Sequence, residues 1–274
     1  MSSAVTNVKA VAVRPDRHLE VPERLATEEP MEIRAAGPGQ LPSPVAVTMR
    51  TPGHDFELAA GFLTTEGLVA PHEISAVSYC DAVRSDDRFN VVTVTLVREW
   101  KPAAARRDFV ATSSCGICGK ASIDQVEISC PTVAYRARLA ASLVGELPQR
   151  LRTGQRIFDA TGGLHAAGLF HVGGELLCLR EDVGRHNAVD KVIGASVLSG
   201  SDRHREAVLV LSGRVSFEIV QKAAVSGIGL IAAVSAPSSL AVEAAKRLGV
   251  TVAGFVRNGT YNLYSHPERV DFDC

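Results

Sequence analysis

From residue 160 onward, hydrophobic and polar positions fall into short apolar runs separated by amphipathic stretches. "GLHAAGLF" and "ELLCLR" flank "HVGG" and read as a hairpin. "HNAVDKVIGASV" has helical spacing, with Val189, Val192, Ile193 and Ser196 stacked on one side. "AVLVLS", "GLIAAVSA" and "TVAGFV" read as short apolar strands. Phe217, Val220 and Ala224 mark one intervening helix, and Leu240, Ala244 and Leu248 mark another. Strands alternating with helices call for parallel pairing through right-handed crossovers. This half therefore reads as α/β, with an antiparallel hairpin at one side and parallel strands at the other.

The first half has a different texture. Residues 1–30 are polar with scattered proline and read as a flexible or extended N-terminal arm. "MEIRAAGPGQLPSPVAVTMR" reads as two strands around a Gly/Pro turn. "DFELAAGFLTTEG" reads as a helix with Phe56, Ala59, Ala60 and Leu63 on one face and Gly67 as its stop. "FNVVTVTLV" (89–97) alternates as a strand does. Ser122 and Gln125 have capping-box spacing, so a helix is expected just after Cys115 and Cys118. "ELPQRLRTGQRIF" reads as a short helix opened by Pro148, with Leu147 and Leu151 on one side. The expected division is an arm (1–30), an α+β region (31–110), a cysteine loop (111–125) and an α/β domain (126–274).

Composition narrows the class. At 274 residues, 46% hydrophobic and 22% charged, the chain suits one large domain or two unequal ones. Twenty-nine Lys+Arg against 30 Asp+Glu give a net charge of -1, so nothing along the whole sequence attracts nucleic acid or an anionic membrane. The N-terminus lacks an apolar core of signal-peptide length, and the most apolar stretch, residues 224–236, is too short and Ser-rich to span a bilayer. The six cysteines are Cys80, Cys115, Cys118, Cys130, Cys178 and Cys274. In a chain of this kind they are expected to stay reduced in the cytoplasm, with Cys80, Cys130 and Cys178 buried.

In such sheets, ligands bind beyond the carboxyl ends of the strands, near helix N-termini that favour anions. "SGR" (212–214), "SAPSS" (235–239) and "FVRNGT" (255–260) fall at those ends. Arg214 and Arg257 can each grip a phosphate in two places, so a phosphate-bearing ligand is expected. In "REDVGRHNAVDK", Arg180 and Arg185 either reach phosphate or pair internally with Asp182 and Asp190. His165 and His171 read as packed or solvated.

"SSCGICGKASID" (113–124) carries a Cys-x-x-Cys pair on a glycine-rich loop. A structural zinc needs four ligands and this pair supplies two, with no second pair at similar spacing. A thioredoxin-like pair sits between a strand and a helix, whereas here the lead-in is charged and irregular. A third reading is a thiolate that accepts sulfur as a persulfide and passes it on. That needs an exposed cysteine of low pKa, and a second thiol can release the sulfur by exchange. Spacing alone leaves all three open.

The strand order and the helix after the hairpin resemble the cytidine deaminase fold. The fold class is thus expected as α/β, a cytidine deaminase-like mixed sheet with helices on both faces, preceded by a smaller α+β region. The deaminases' zinc motifs are absent. His186-Asn187-Ala188 lacks the acid/base glutamate, and "SGRVS" lacks cysteine.

From about residue 28, the chain resembles the formate dehydrogenase accessory sulfurtransferases. "SSCGICGKASID", "TGGLHAAGLF", "REDVGRHNAVDKVIG", "SGRVSFEIVQKAA" and "SAPSSLAV", in that order, carry the resemblance. It implies that Cys115 bears a persulfide and that Cys118 is its functional partner. It implies that Phe255, Val256, Arg257, Asn258, Gly259 and Thr260 contact a molybdenum (or tungsten) bis(molybdopterin guanine dinucleotide) cofactor, held as substrate. A cysteine desulfurase is the implied donor, formate dehydrogenase the client and a homodimer the working form, with no zinc, nucleic acid or membrane involved. The alternative class is a cofactor-binding chaperone whose cysteines are structural or redox-active.

Overall fold

The computed structural model describes residues 3–80, 88–101 and 132–272. Val5–Arg14 (β1) and Arg17–Ala26 (β2) form an antiparallel hairpin paired from Val5–Ala26 to Arg14–Arg17. The stretch expected as a flexible arm is thus extended but paired. Its recurring valines at 5, 8, 11, 13 and 21 outweigh the polar composition.

Glu29–Ala36 (β3) and Ser43–Arg50 (β4) are the expected strand pair, and they belong to a four-stranded sheet. Its other members are Ile74–Tyr79 (β5) and Val91–Leu96 (β6), in the order β4-β3-β6-β5, with β3 and β6 parallel. Five of the six β6 residues are buried, so this strand is covered on both faces rather than alternating. Helix Asp55–Thr65 (α1) packs on the sheet, and Gly67 at φ 66 lies just past its end, as expected.

After Leu139–Ala140 (β7) come two helices, Ala141–Thr153 (α2) and Arg156–Thr161 (α3). Pro148 lies inside α2 and does not open it, contrary to expectation. Proline there forfeits a backbone bond, but Val144, Leu147 and Leu151 are all buried, and that burial outweighs the loss.

The C-terminal region is a six-stranded mixed sheet. His165–Phe170 (β8) and Leu176–Asp182 (β9) form the expected hairpin, followed by helix Arg185–Leu198 (α4). Val208–Leu211 (β10), Phe217–Val225 (α5), Leu230–Ala233 (β11), Ser239–Leu248 (α6) and Thr251–Arg257 (β12) then alternate, and the three strands run parallel. Thr260–Ser265 (β13) closes the far edge antiparallel to β12, giving the order β13-β12-β11-β10-β8-β9. Val270–Asp271 (β14) pairs with β7. Helix α2 covers one face of the large sheet, and α4 and α6, bridged by α5, lie against the other. In α6 the buried set is Ala241, Ala244, Ala245 and Leu248; Leu240, expected inward, is exposed one position out of phase.

The two sheets meet through α1 and α4, whose backbones touch. A Cβ on Gly61 would collide with the carbonyl of Asp190, and one on Gly194 with the carbonyl of Glu57. Buried charges line this joint. Asp182 pairs with Lys191 at 2.7 Å, and Asp190 accepts from Lys222 at 2.9 Å and from the Thr65 hydroxyl at 2.7 Å. Lys222 also reaches Glu66 at 2.9 Å. The partners of Asp182 and Asp190 are therefore lysines, not Arg180 and Arg185. Arg180 instead holds Glu57 through two hydrogen bonds of 2.5 and 2.7 Å. Burial works against the Glu57 carboxylate, but the bonds from Arg180 and His54 prevail and bring its pKa down to about 2.

Cys80 and Cys178 are free and half-buried rather than fully buried, and burial pushes the Cys178 thiol up. Cys130 and Cys274 lie outside the described residues. Among the described residues, no helix is long and apolar enough to cross a membrane.

Candidate functional site

The carboxyl ends of β10, β11 and β12 come to one edge, as the strand pattern requires. The turns that follow them are tied together by backbone bonds. Val215 N–H donates to Ala236 (3.2 Å), Ser238 N–H to Val215 (3.0 Å) and Phe255 N–H to Ser235 (3.2 Å). The Ser212 hydroxyl accepts from Ala166 N–H at 2.8 Å, which fixes the start of β8 to the same edge. Ser238 caps α6 through Ala241 N–H.

Between this edge and helices α2 and α3 lies a cleft of about 580 Å³. The helix side presents Pro148, Leu151, Gln155 and Phe158, and the strand side His165, Ser212, Val256, Arg257 and Asn258. Of the six residues expected at the cofactor, Val256, Arg257 and Asn258 therefore line the cleft. Gly259 and Thr260 turn away onto a shallower depression beside Tyr261 and Phe272. The reason is a tight turn in which Asn258 and Gly259 both have positive φ, the Asn-Gly pairing that joins β12 directly to β13. Phe255 has φ 55, a left-handed conformation unusual for an aromatic residue, within the register shift of β12. Its ring stands 5.8 Å from the Arg257 guanidinium. Residues 235–239 and Arg214, expected as walls, stand back from the cleft.

On the cleft wall, Arg152 holds Asp159 at 2.6 Å. Arg34, Arg50 and Arg180 each hold a carboxylate. Arg185, Arg214 and Arg257 have none among the described residues, and the buried Nε of Arg185 makes no hydrogen bond. His165 is partly buried at the cleft wall, and burial, then the charges of Arg185 and Arg214, push its pKa down. These effects favour the neutral ring, which faces the cleft beside an electropositive corner.

His186 meets the Ser216 hydroxyl at 3.1 Å and the Glu218 carboxylate at 3.8 Å. No group of three or more His, Cys, Asp or Glu side chains arranged to hold a metal occurs among the described residues. His171 accepts from Gly173 N–H within its own turn. Cys115 and Cys118, and the helix expected after them, lie outside the described residues. The chain reaches that segment from Trp100, whose N–H donates to Gln40, and leaves it at Val133, whose N–H donates to Leu248.

Gln155 and Phe158 were not singled out by the sequence. No motif marks them, because they meet the strand edge only through the packing of α2 and α3. His165 was legible as a histidine at a strand start, but not as a cleft residue.

The profile of the FdhD/NarQ family matches residues 26–271. The chain is similar to the sulfur carrier protein FdhD of Mycolicibacterium paratuberculosis, at 47% identity over 256 residues covering 91% of this chain and 92% of that one. The sulfur carrier protein FdhD of Streptomyces avermitilis is 46% identical over 270 residues, covering 96% and 94%. A solved structure, described as that of a formate dehydrogenase accessory protein from Desulfotalea psychrophila, matches with a TM-score of 0.75 at 25% identity, covering 98% of this chain and 100% of the other.

Proposed function

The chain belongs to the FdhD/NarQ family, and from that premise we propose that it is a cytoplasmic sulfurtransferase serving formate dehydrogenase. Cys115 attacks the outer sulfur of a cysteine desulfurase persulfide. The donor S–S bond breaks, the donor leaves as a thiolate, and the sulfur stays on Cys115. Attack of the Cys118 thiolate on the Cys115 sulfur then releases hydrosulfide, and the two electrons it needs come from formation of the Cys115–Cys118 disulfide. The acceptor is a molybdenum or tungsten bis(molybdopterin guanine dinucleotide), bound as substrate by a homodimer before its insertion into formate dehydrogenase.

The observation that carries this reading is the cleft at the strand ends, with Val256, Arg257 and Asn258 on its wall and the unpaired Arg185 and Arg214 beyond it. A phosphate-bearing ligand supplies the negative charge that these arginines lack. We read the C-terminal sheet as a cytidine deaminase-like frame, in which His186 faces the Ser216 hydroxyl and the Glu218 carboxylate.

The test is the intact mass of the protein after incubation with a cysteine desulfurase and cysteine. Wild type gains sulfur adducts of about 32 Da each by persulfidation, and Cys115→Ala gains none while melting at the wild-type temperature. An adduct retained by Cys115→Ala, or a wild type that takes up no sulfur, favours the chaperone with a structural or redox cysteine pair.

A further inference from the structure

Gln155 stands between α2 and α3, at the N-cap position of α3, and is only 3% exposed. A polar side chain there ordinarily caps the helix, but Gln155 makes no such bond. The capping is done from β9. The buried Glu181 carboxylate accepts from Ile157 N–H at 2.9 Å and Phe158 N–H at 2.7 Å. The Gln155 amide is thus left without a hydrogen-bond partner among the described residues, on the wall of the main cleft. Its position is nevertheless fixed, since its own N–H bonds Arg152 and Glu181 pins the turn that follows.

A primary amide presents donors and an acceptor side by side, and this one keeps them open to the cleft. Phe158, one turn further on, lines the same cleft, with Arg257 and Asn258 across it. An aromatic ring beside a free amide suits a flat heterocycle whose edge carries an adjacent N–H and C=O. We infer that Gln155 is a specificity-determining residue, reading the base edge of the nucleotide part of the substrate while the arginines at the strand edge hold its phosphates. The inference rests on the nucleotide-bearing substrate proposed above.

Calorimetric titration of GDP and of inorganic pyrophosphate into wild type and Gln155→Met tests it. Loss of the amide is expected to weaken GDP about tenfold and to leave pyrophosphate within about twofold. Equal GDP affinity in the two proteins, or equal weakening of both ligands, overturns the role of Gln155 and leaves the nucleotide reading standing. A wild type that binds no GDP overturns the nucleotide reading and this inference with it. Should the variant not fold, the side-chain amide resonance of Gln155 in ¹⁵N-labelled wild type decides. A shift with GDP but not with pyrophosphate supports the assignment, and a resonance that moves with neither, or equally with both, refutes it.

Discussion

Lys222→Met isolates the electrostatics of the joint between the two sheets. Lys222 and Asp190 are almost wholly buried, and Glu66 completes the group. Burial drives the Asp190 carboxyl up to about 6 despite its bonds from Lys222 and Thr65. Around Lys222, the two carboxylates outweigh burial and raise its pKa above the ordinary lysine value. The two shifts pull opposite ways, since one makes the pair look costly and the other favourable. A lysine between two carboxylates keeps its charge, so Asp190 is the member that takes up a proton on acidification. Methionine keeps the length of the side chain but takes the cation from beside Asp190 and Glu66, which costs about 3–5 kcal/mol. The cost depends on pH. In the variant, Asp190 stays protonated in the folded state at pH values where wild-type Asp190 is ionised and the unfolded chain is ionised too. The folded variant then binds the extra proton, so its stability rises as pH falls, by about 1.4 kcal/mol per unit. Below about 6 the wild type gains in the same way, and the deficit levels off. Urea denaturation at pH 8 and pH 6 is the assay, with the deficit expected to shrink by about 2–3 kcal/mol between them. A deficit under about 1 kcal/mol at pH 8, or one unchanged at pH 6, would refute the buried-cluster reasoning.

Gly194→Ala forces a Cβ into the carbonyl of Glu57, where backbone cannot yield; the expected loss is at least about 2 kcal/mol, read from the same denaturation curves, and a neutral substitution would mean that α1 and α4 are not in backbone contact. Arg257→Ala removes the charge at the mouth of the cleft and is expected to weaken GDP about ten- to a hundredfold; unchanged calorimetric affinity would put the phosphates elsewhere.

The elements from 165 to 257 were legible because each is one apolar run with a single period. The three strand ends could be brought to one edge from that alone. The hairpin of residues 5–26 was not legible, since its valines are diluted by charged neighbours. The strand at 260–265 was heralded only by Asn258-Gly259, read as part of a loop rather than as a two-residue turn. Pro148 misplaced the start of α2 because a helix-breaking residue is tolerated where burial around it is sufficient. The partners of Asp182 and Asp190 could not be chosen from spacing. Arg180 is close to Asp182 in sequence, but it is drawn away by Glu57, more than a hundred positions earlier. The sequence marked the part of the cleft carried by the end of β12 and the turn after it, 256–258, and missed the wall that α2 and α3 bring from a distance.

Phe255 pays a backbone penalty that glycine would avoid. Its φ of 55 costs a side-chain-bearing residue about 1 kcal/mol or more, and Phe255→Gly would relieve it while deleting the ring beside Arg257. Backbone strain and the ring's contact with Arg257 therefore rank the residues at this position in opposite orders. A laboratory selection that rewarded only thermal survival would drift toward the smaller residue and discard the ring.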